Sequence, residues 1–241
     1  MVELAKLLKE KGLVLNSRQQ QQFETYFQLL VSWNKKVNLT AITDREEVII
    51  KHFYDSLTPS FFYAFADNAS ICDVGSGAGF PVIPLKIMFP TLKVTIVDSL
   101  NKRLLFLEEV KKQLHLEDVS LIHDRAETFA HLSTVREQFD WVVARAVANL
   151  TVLCEYCLPL VRKGGSFLAL KGGQADEEVQ QASAAIRILG GILKQQCSIE
   201  LPENCGSRLI VQIDKEHSTP NKYPRKPGLP AKKPLFDSCS T

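Results

Sequence analysis

The chain has 241 residues, a length that fits one α/β domain of about 150 residues with additional segments at its ends. Hydrophobic residues make up 45% of the sequence, which is ordinary for a globular protein and sufficient for a packed core. The formal net charge of +2 excludes a polycation, so any surface for nucleic acid must arise from local clusters of Lys and Arg.

The N-terminus and the cysteines predict a cytoplasmic protein without a membrane span or a metal. Residues 1–11 alternate charge with leucine and lack the apolar region of a signal peptide, and no stretch approaches the ~20 apolar residues of a span. Cys154 and Cys157 have the spacing of zinc ligands, but no second Cys or His pair completes a site. We therefore expect reduced thiols that fill the core. The other cysteines are Cys72, Cys197, Cys205 and Cys239.

Residues 1–65 are predicted to form a helical cap. Ser17 with Gln20 is typical of a capping box, and the apolar residues that follow recur at helical spacing. These residues are Phe23, Tyr26, Phe27 and Leu30. A second helical segment is expected over about 45–63. Because such helices have one apolar face, we expect that face to pack on the next domain.

Residues 66–213 are predicted to form an α/β core in which strands and helices alternate. Strands are expected at 71–74, 94–97, 119–123, 141–144 and 166–170, with helices between them such as 102–115 and 150–160. Continuous apolar strands interleaved with helices favour a mostly parallel sheet that is covered on both faces. Two later runs, 194–201 and 207–213, are expected to form an antiparallel edge pair.

Residues 71–80 are the most informative segment: Ile-Cys-Asp-Val-Gly-Ser-Gly-Ala-Gly-Phe. A short buried strand carries Asp73 and then breaks at three glycines, Gly75, Gly77 and Gly79. The dinucleotide fingerprint would require glycine at the position of Phe80. The pattern instead resembles motif I of the class I S-adenosylmethionine (SAM) methyltransferases. The resemblance implies a Rossmann-like, seven-stranded sheet and a loop that contacts SAM.

Polar side chains follow the remaining strands, at the edge where ligands bind in open α/β sheets. Asp98 either accepts hydrogen bonds from ribose hydroxyls or caps the following helix. The segment 124–127 stands where an adenine edge is usually held. Arg145 faces either the cofactor carboxylate, an RNA phosphate or a structural ion-pair partner, since a charge that leaves an apolar strand needs a partner. Lys171 is either part of the site or a solvated turn lysine.

Residues 214–241 are predicted to be an extended basic tail. Five prolines between positions 220 and 234 disfavour helix and sheet, and basic residues stand between them. The tail is either solvated and disordered or a nucleic-acid contact that becomes ordered on binding.

Further motifs make the resemblance specific to one family. They are Trp-Asn-Lys-Lys-Val-Asn-Leu-Thr-Ala-Ile-Thr at 33–43, Lys-His-Phe-Tyr-Asp-Ser at 51–56, Val-Asp-Ser-Leu-Asn-Lys-Arg at 97–103 and Ala-Arg-Ala at 144–146. From about residue 15 to 213 the chain resembles the bacterial ribosomal RNA small subunit methyltransferase G family, also called glucose-inhibited division protein B. The resemblance implies a SAM-dependent 16S rRNA (guanine-N7)-methyltransferase, acting on guanine 527 by family convention.

The resemblance also implies roles for individual residues. The expected cofactor contacts are Asp73, Gly75, Gly77, Gly79, Phe80, Asp98, Ala126, Glu127 and Arg145. The expected RNA contacts are Lys102, Arg103, Arg125 and Lys171, together with Lys222, Arg225 and Lys226 of the tail. Asn38 and His52 match family motifs without a derived role, and tying the cap to the core is one possibility.

Guanine N7 carries an unprotonated lone pair at neutral pH, so the reaction needs no general base. We therefore expect a positioning mechanism, with Arg145 as the one candidate catalytic residue, and a monomer that acts on naked 16S rRNA or the 30S subunit. Three alternatives stay open at this point: a SAM enzyme with a small-molecule or protein substrate, an NAD-dependent oxidoreductase, and a non-catalytic RNA-binding factor.

Overall fold

The computed structural model describes residues 1–173 and 175–235. Its centre is a seven-stranded sheet with the strand order β3-β2-β1-β4-β5-β7-β6. The strands are β1 Ser70–Val74, β2 Lys93–Asp98, β3 Val119–His123, β4 Phe139–Arg145, β5 Val161–Gly172, β6 Gly191–Glu200 and β7 Ser207–Lys215. β7 pairs antiparallel with both β5 and β6, whereas the other pairs are parallel. The α/β prediction and the antiparallel edge pair are thus confirmed.

Helices cover both faces of the sheet. They are α1 Val2–Lys9, α2 Ser17–Asn34, α3 Arg45–Val48, α4 Asp55–Leu57, α5 Val82–Met88, α6 Asn101–Gln113, α7 Ala126–Phe129, α8 Leu150–Cys157, α9 Asp176–Gln181, α10 Ser183–Ile188 and α11 Leu229–Lys232. Successive strand residues point to opposite faces, so Ile71 belongs to one hydrophobic cluster and Cys72 to the other. Both side chains are completely buried.

The first cluster joins the N-terminal helices to the sheet. Leu4, Phe23 and Leu30 are fully buried in it together with Ile71. The segment predicted as one helix over 45–63 is composite: between α3 and α4 lies a π-helical turn, Ile49–Tyr54, and a 3-10 turn, Thr58–Phe61, ends it. The helices of the cap and the sheet therefore share one hydrophobic cluster.

The capping-box prediction was wrong by one residue. Helix α2 begins at Ser17, so Asn16 is the N-cap; its side chain accepts from Gln19 N at 2.9 Å. The side chain of Gln19 accepts in turn from Asn16 N at 2.9 Å. Ser17 lies inside the first turn, because Asn16 has the extended backbone that a cap requires.

The tail was also predicted incorrectly, because part of it is helical. α11 begins directly after Gly228 and carries Pro230 near its start. Proline is tolerated there, since the first helical N–H groups have no partner within the helix. Residue 174 and residues 236–241, with Cys239 among them, lie outside the described residues.

A tyrosine of the cap holds the loop between β1 and α5. Tyr26 is completely buried, and its hydroxyl donates to the carbonyl oxygen of Ala78. Its ring stacks on Phe53 and packs at 5.5 Å from Phe80. The loop is thereby fixed by a residue 52 positions earlier in the chain.

We expect Tyr26→Phe to lower the free energy of unfolding by about 1–2 kcal/mol, because the buried carbonyl of Ala78 loses its donor. Urea denaturation measures this change. Tyr54→Phe is the control: Tyr54 packs at 5.4 Å from Phe61 and has no hydroxyl hydrogen bond within the described part of the chain. Equal free energies of unfolding for the two variants would contradict the prediction.

Candidate functional site: a cleft at the carboxyl ends of the strands

A cleft of about 560 Å³ opens where β1, β2 and β4 end. The glycine loop, Asp98, Ala126, Glu127 and Arg145 all contribute to its wall. In open α/β sheets this edge is the usual ligand site. The structure therefore brings most of the predicted cofactor residues into one cavity.

Gly75 and Gly77 form the floor of the cleft. Their φ angles are +74° and +62°, values that favour glycine. A Cβ atom on Gly75 would lie 2.8 Å from a methyl carbon of Val147, whereas one on Gly77 would meet nothing within 4 Å. Gly75 is therefore required both by its backbone and by the close approach of the loop after β4.

Gly79 and Asp73 belong to the glycine loop but are not among the residues that line the cleft, so their contact with the cofactor stays a prediction. A Cβ atom on Gly79 would lie 2.6 Å from the hydroxyl of Tyr26, so glycine is needed there for packing of the cap. Asp73 is completely buried and accepts a hydrogen bond from Ser76 Oγ at 2.6 Å. Burial raises the pKa of Asp73 to about 7. This carboxyl group supports the loop from within the protein.

Asp98 bonds to the backbone just before α6, although the N-cap itself is Leu100, and its contact with ribose stays a prediction. Its carboxylate accepts from Leu100 N at 2.9 Å, just before α6, and from Gly77 N at 3.1 Å. Arg103 pairs with the same group at 3.3 Å. A carboxylate has about four acceptor positions, so a further donor can still be accepted. Asp98 thus organises the loop and presents a carboxylate to the cleft.

Glu127 and Tyr156 lie at the other end of the cleft, where the C-terminal segment joins the wall. Glu127 is buried and accepts from Gly228 N at 2.8 Å, and Gly228 and Ala231 line the cleft. Burial, aided by the charge of Glu127, raises the pKa of Tyr156 to about 12. Tyr156, Gly228 and Ala231 were missed by sequence reasoning, because no local motif marks them.

Arg145 forms an ion pair and also lines the cleft. Its Nη1 atom lies 3.2 Å from Asp55 Oδ2 and 3.3 Å from Lys51 O. The guanidinium lies 5.0 Å from the ring centroid of Phe80. The structural ion pair considered for this residue therefore exists, and the same side chain belongs to the cleft wall.

His52 ties the cap to the glycine loop. Its ring stacks on Phe80 with centroids 4.5 Å apart, and Nε2 lies 2.9 Å from Thr40 Oγ1. Burial, reinforced by the charge of Arg145, lowers the pKa of His52 from 6.5 to about 3. The imidazole is neutral at physiological pH. Asn38 is exposed, and the nearby chain is instead organised by Asn34, which bonds Leu39 N at 2.7 Å.

Comparison with known proteins decides the family. The profile of the rRNA small subunit methyltransferase G family matches residues 19–204. The chain belongs to this family. A ribosomal RNA small subunit methyltransferase G from Staphylococcus epidermidis (strain ATCC 12228 / FDA PCI 1200) is 58% identical over 235 residues, which cover 98% of each chain. The corresponding protein from Staphylococcus aureus (strain Newman) is 58% identical over 234 residues, covering 97% of this chain and 98% of that one.

Solved structures confirm the fold of the methyltransferase G family member. M. jannaschii TYW2 in complex with AdoMet superposes with a TM-score of 0.54 at 12% identity, covering 68% of this chain and 76% of that one. A mutant of MtNAS gives a TM-score of 0.54 at 13% identity, covering 83% of this chain and 75% of that one. At these identities the likeness shows the fold alone.

The predicted RNA contacts of this family member divide into exposed cations and cations that are paired with a carboxylate. Lys102 and Arg125 are exposed near the cleft. Arg103 pairs with Asp98, and Lys171 pairs with Glu178 at 2.8 Å with only 11% of its side chain exposed. Paired cations attract phosphates less strongly because their charge is already compensated.

Arg225, a residue of the tail, binds the tail to the core through an ion pair with Glu155. Arg225 Nη2 lies 2.6 Å from Glu155 Oε2, and the side chain of Glu155 is only 1% exposed. Arg136 donates to the carbonyl oxygens of Thr219 and Tyr223, both at 2.9 Å. Arg225, predicted to bind RNA, is therefore engaged within the protein. Lys222 and Lys226 are exposed.

Cys154 and Cys157 are completely buried on α8. Among residues 1–173 and 175–235 no group of three or more His, Cys, Asp or Glu side chains has the arrangement of a metal site. The same residues include no helix that is long and apolar enough to span a bilayer.

The pH dependence of stability should reveal the neutral His52. The unfolded chain binds a proton near pH 6.5 but the native chain only near pH 3, so acidification through this range favours unfolding. Between pH 7 and pH 5 we expect the wild type to lose about 1–2 kcal/mol more than His52→Gln. Urea denaturation at both pH values tests this. The control is replacement of the exposed His217 by Gln, which should leave the pH dependence of stability as it is in the wild type. The same pH dependence in all three proteins would refute the neutral state of His52.

Arg225→Ala should lower the free energy of unfolding by about 3 kcal/mol, because it leaves the buried carboxylate of Glu155 without its cation. Thermal or urea unfolding measures the loss. The matched control is Lys226→Ala, which removes the exposed neighbouring cation and should be neutral for stability. If Arg225→Ala keeps full stability and weakens only RNA binding, the tail serves RNA as the sequence suggested.

Proposed function

We propose that this chain transfers the methyl group of SAM to N7 of a guanine in 16S rRNA. The observation that carries the proposal is the cleft at the carboxyl ends of the strands, where Gly75, Asp98, Glu127 and Arg145 contribute to one wall. The methyltransferase G family supplies the substrate class, and the residues of the cleft fit a nucleoside with an amino-acid tail.

Each part of the cleft fits one part of SAM. When bound, SAM supplies an electrophilic methyl group on a sulfonium. The positive φ angles of Gly75 and Gly77 allow close approach of the backbone, and Asp98 presents a carboxylate for ribose hydroxyls. Ala126 and Glu127 border the opposite end, where the adenine would lie. Arg145 supplies a cation for the methionine carboxylate.

The acceptor requires no general base, because guanine N7 is not protonated at neutral pH. The one histidine that lines the cleft within the described chain, His52, is neutral and engaged with Thr40 and Phe80, which fits a supporting role. The rate enhancement would then come from alignment of the reacting atoms, about 3–3.5 Å apart. Arg145 is a positioning residue in this proposal.

The substrate would bind as an exposed loop of RNA. In an A-form helix N7 faces a deep, narrow groove that side chains do not reach, so the target base must be splayed out. Lys102, Arg125, Lys222 and Lys226 are exposed cations that would bind phosphates. A monomer in the cytoplasm, divided into a cap (1–65), a core (66–213) and a tail (214–241), completes the proposal.

The direct test is transfer of labelled methyl from SAM to naked 16S rRNA and to 30S particles by the purified protein. We expect one 7-methylguanosine, detected by mass spectrometry of nuclease fragments, and its absence in cells that lack the gene. Methylation of a protein, a small molecule or another atom of the RNA would overturn the proposal. The two substrates measured side by side also decide which assembly state is used.

Gly75→Val should reduce SAM affinity at least a hundredfold, because the side chain collides with Val147 and strains a residue with φ of +74°. Calorimetric titration measures the affinity. Gly12→Val is the matched control: its φ is +79°, but a Cβ atom there meets nothing within 4 Å and lies outside the cleft. Wild-type affinity in a folded Gly75→Val protein would refute the loop as cofactor site.

A further inference from the structure

A second cavity of about 340 Å³ adjoins the cleft. His52, Arg145 and Ala146 contribute to both walls, so the two cavities share one partition. Ile42 and Leu170 add apolar surface to the second cavity. Its position next to the cofactor cleft makes it accessible to a group that must meet the methyl donor.

Basic side chains dominate the wall of this cavity, and each of them is paired with a carboxylate. Four of its lining residues are basic, and Asp55 is the one acidic residue among those that line it within the described chain. The basic residues are Lys51, Arg145, Lys171 and Arg208. Their partners are three carboxylates, Glu47, Asp55 and Glu178, so the four cations keep one net positive charge, which suits an anionic ligand of the size of a nucleotide.

Asp55 is unusual in how its two oxygens are used. Oδ2 accepts from Arg145 Nη1 at 3.2 Å and from Arg208 Nε at 3.0 Å. Oδ1 is buried and has no hydrogen-bond partner among residues 1–173 and 175–235. The two arginines hold the carboxylate in place and leave one oxygen for another donor. A buried acceptor without a partner is costly and occurs where a ligand or solvent completes it.

We infer that the second cavity receives the splayed-out target guanine nucleotide and that Asp55 reads the Watson–Crick edge of the base. This inference rests on the proposed function. Guanine presents two adjacent donors there, N1–H and the N2 amino group, and we assign the N2 amino group to Oδ1, because Oδ2 already accepts from two arginines. Adenine places an acceptor at N1 and would face Asp55 unfavourably. N7 lies on the other side of the purine, so binding by this edge leaves it free toward the shared partition.

The cations around Asp55 complete the recognition. Arg208 and Lys51 line the same cavity; Asp55 and Glu47 compensate part of their charge, and their remaining N–H groups would bind the phosphate of the nucleotide. Arg145 belongs to both walls and therefore links acceptor and cofactor sites. Asp55 acts here as a specificity-determining residue, since it discriminates the base without taking part in methyl transfer.

The test replaces the target guanosine of 16S rRNA by inosine, which lacks the N2 amino group but keeps N1–H and N7. Splint ligation yields both RNAs, and kcat/KM for N7 methylation is measured by mass spectrometry. For the wild type we expect inosine to lower kcat/KM about tenfold or more. For Asp55→Asn we expect a lower kcat/KM on guanosine RNA and little further loss with inosine. SAM affinity of this variant, measured by calorimetry, reports whether the cofactor cleft is intact.

Asp140→Asn is the matched control, because it removes a carboxylate from an ion pair with Arg162 that lies outside both cavities. It should retain the full inosine penalty. Equal kcat/KM of the wild type on the two RNAs, or an undiminished penalty in Asp55→Asn, overturns the assignment of Asp55 and leaves the methyltransferase proposal standing. Absence of methyl transfer to guanosine RNA overturns the proposed function itself.

Discussion

The glycine loop between β1 and α5 is the part of the molecule on which the rest of the site depends. Glycine allows the backbone to turn at Gly75 and Gly77, but glycine alone would leave the loop mobile. The hydroxyl of Tyr26 holds it from the cap, and Asp73 holds Ser76 from within the sheet. Asp98 fixes Gly77 N from the neighbouring strand. A rigid floor for the cleft therefore requires the cap. The cap in turn is fixed to the sheet, because the two share a hydrophobic cluster.

Most of the fold could be predicted from the sequence because its signals are local. Apolar runs of four to eight residues alternating with helical periodicity indicate a parallel sheet, and each predicted strand overlaps an observed one. The cleft could be predicted for the same reason, because parallel strands end at one edge. Errors of a single residue, as at Asn16, arose where two polar residues both suit an N-cap.

The remaining features depend on contacts between distant residues. Asp73 and Gly79 belong to the motif, but the motif does not reveal which of its members line the cleft and which pack elsewhere in the protein. Basic residues look alike in a sequence whether or not a carboxylate compensates them. Arg225 and Lys171 are paired with Glu155 and Glu178, whose positions in the sequence give no hint of the pairing.

The wall of the cofactor cleft combines residues that lie far apart in the sequence. Leu39 and Thr40 of the cap line it together with Gly228 and Ala231 of the C-terminal segment. Translation delivers these pieces in order, N-terminus first. A nascent polypeptide therefore has no complete cleft until Ala231 has been synthesised, and products truncated before Gly228 would have an open, incomplete binding wall.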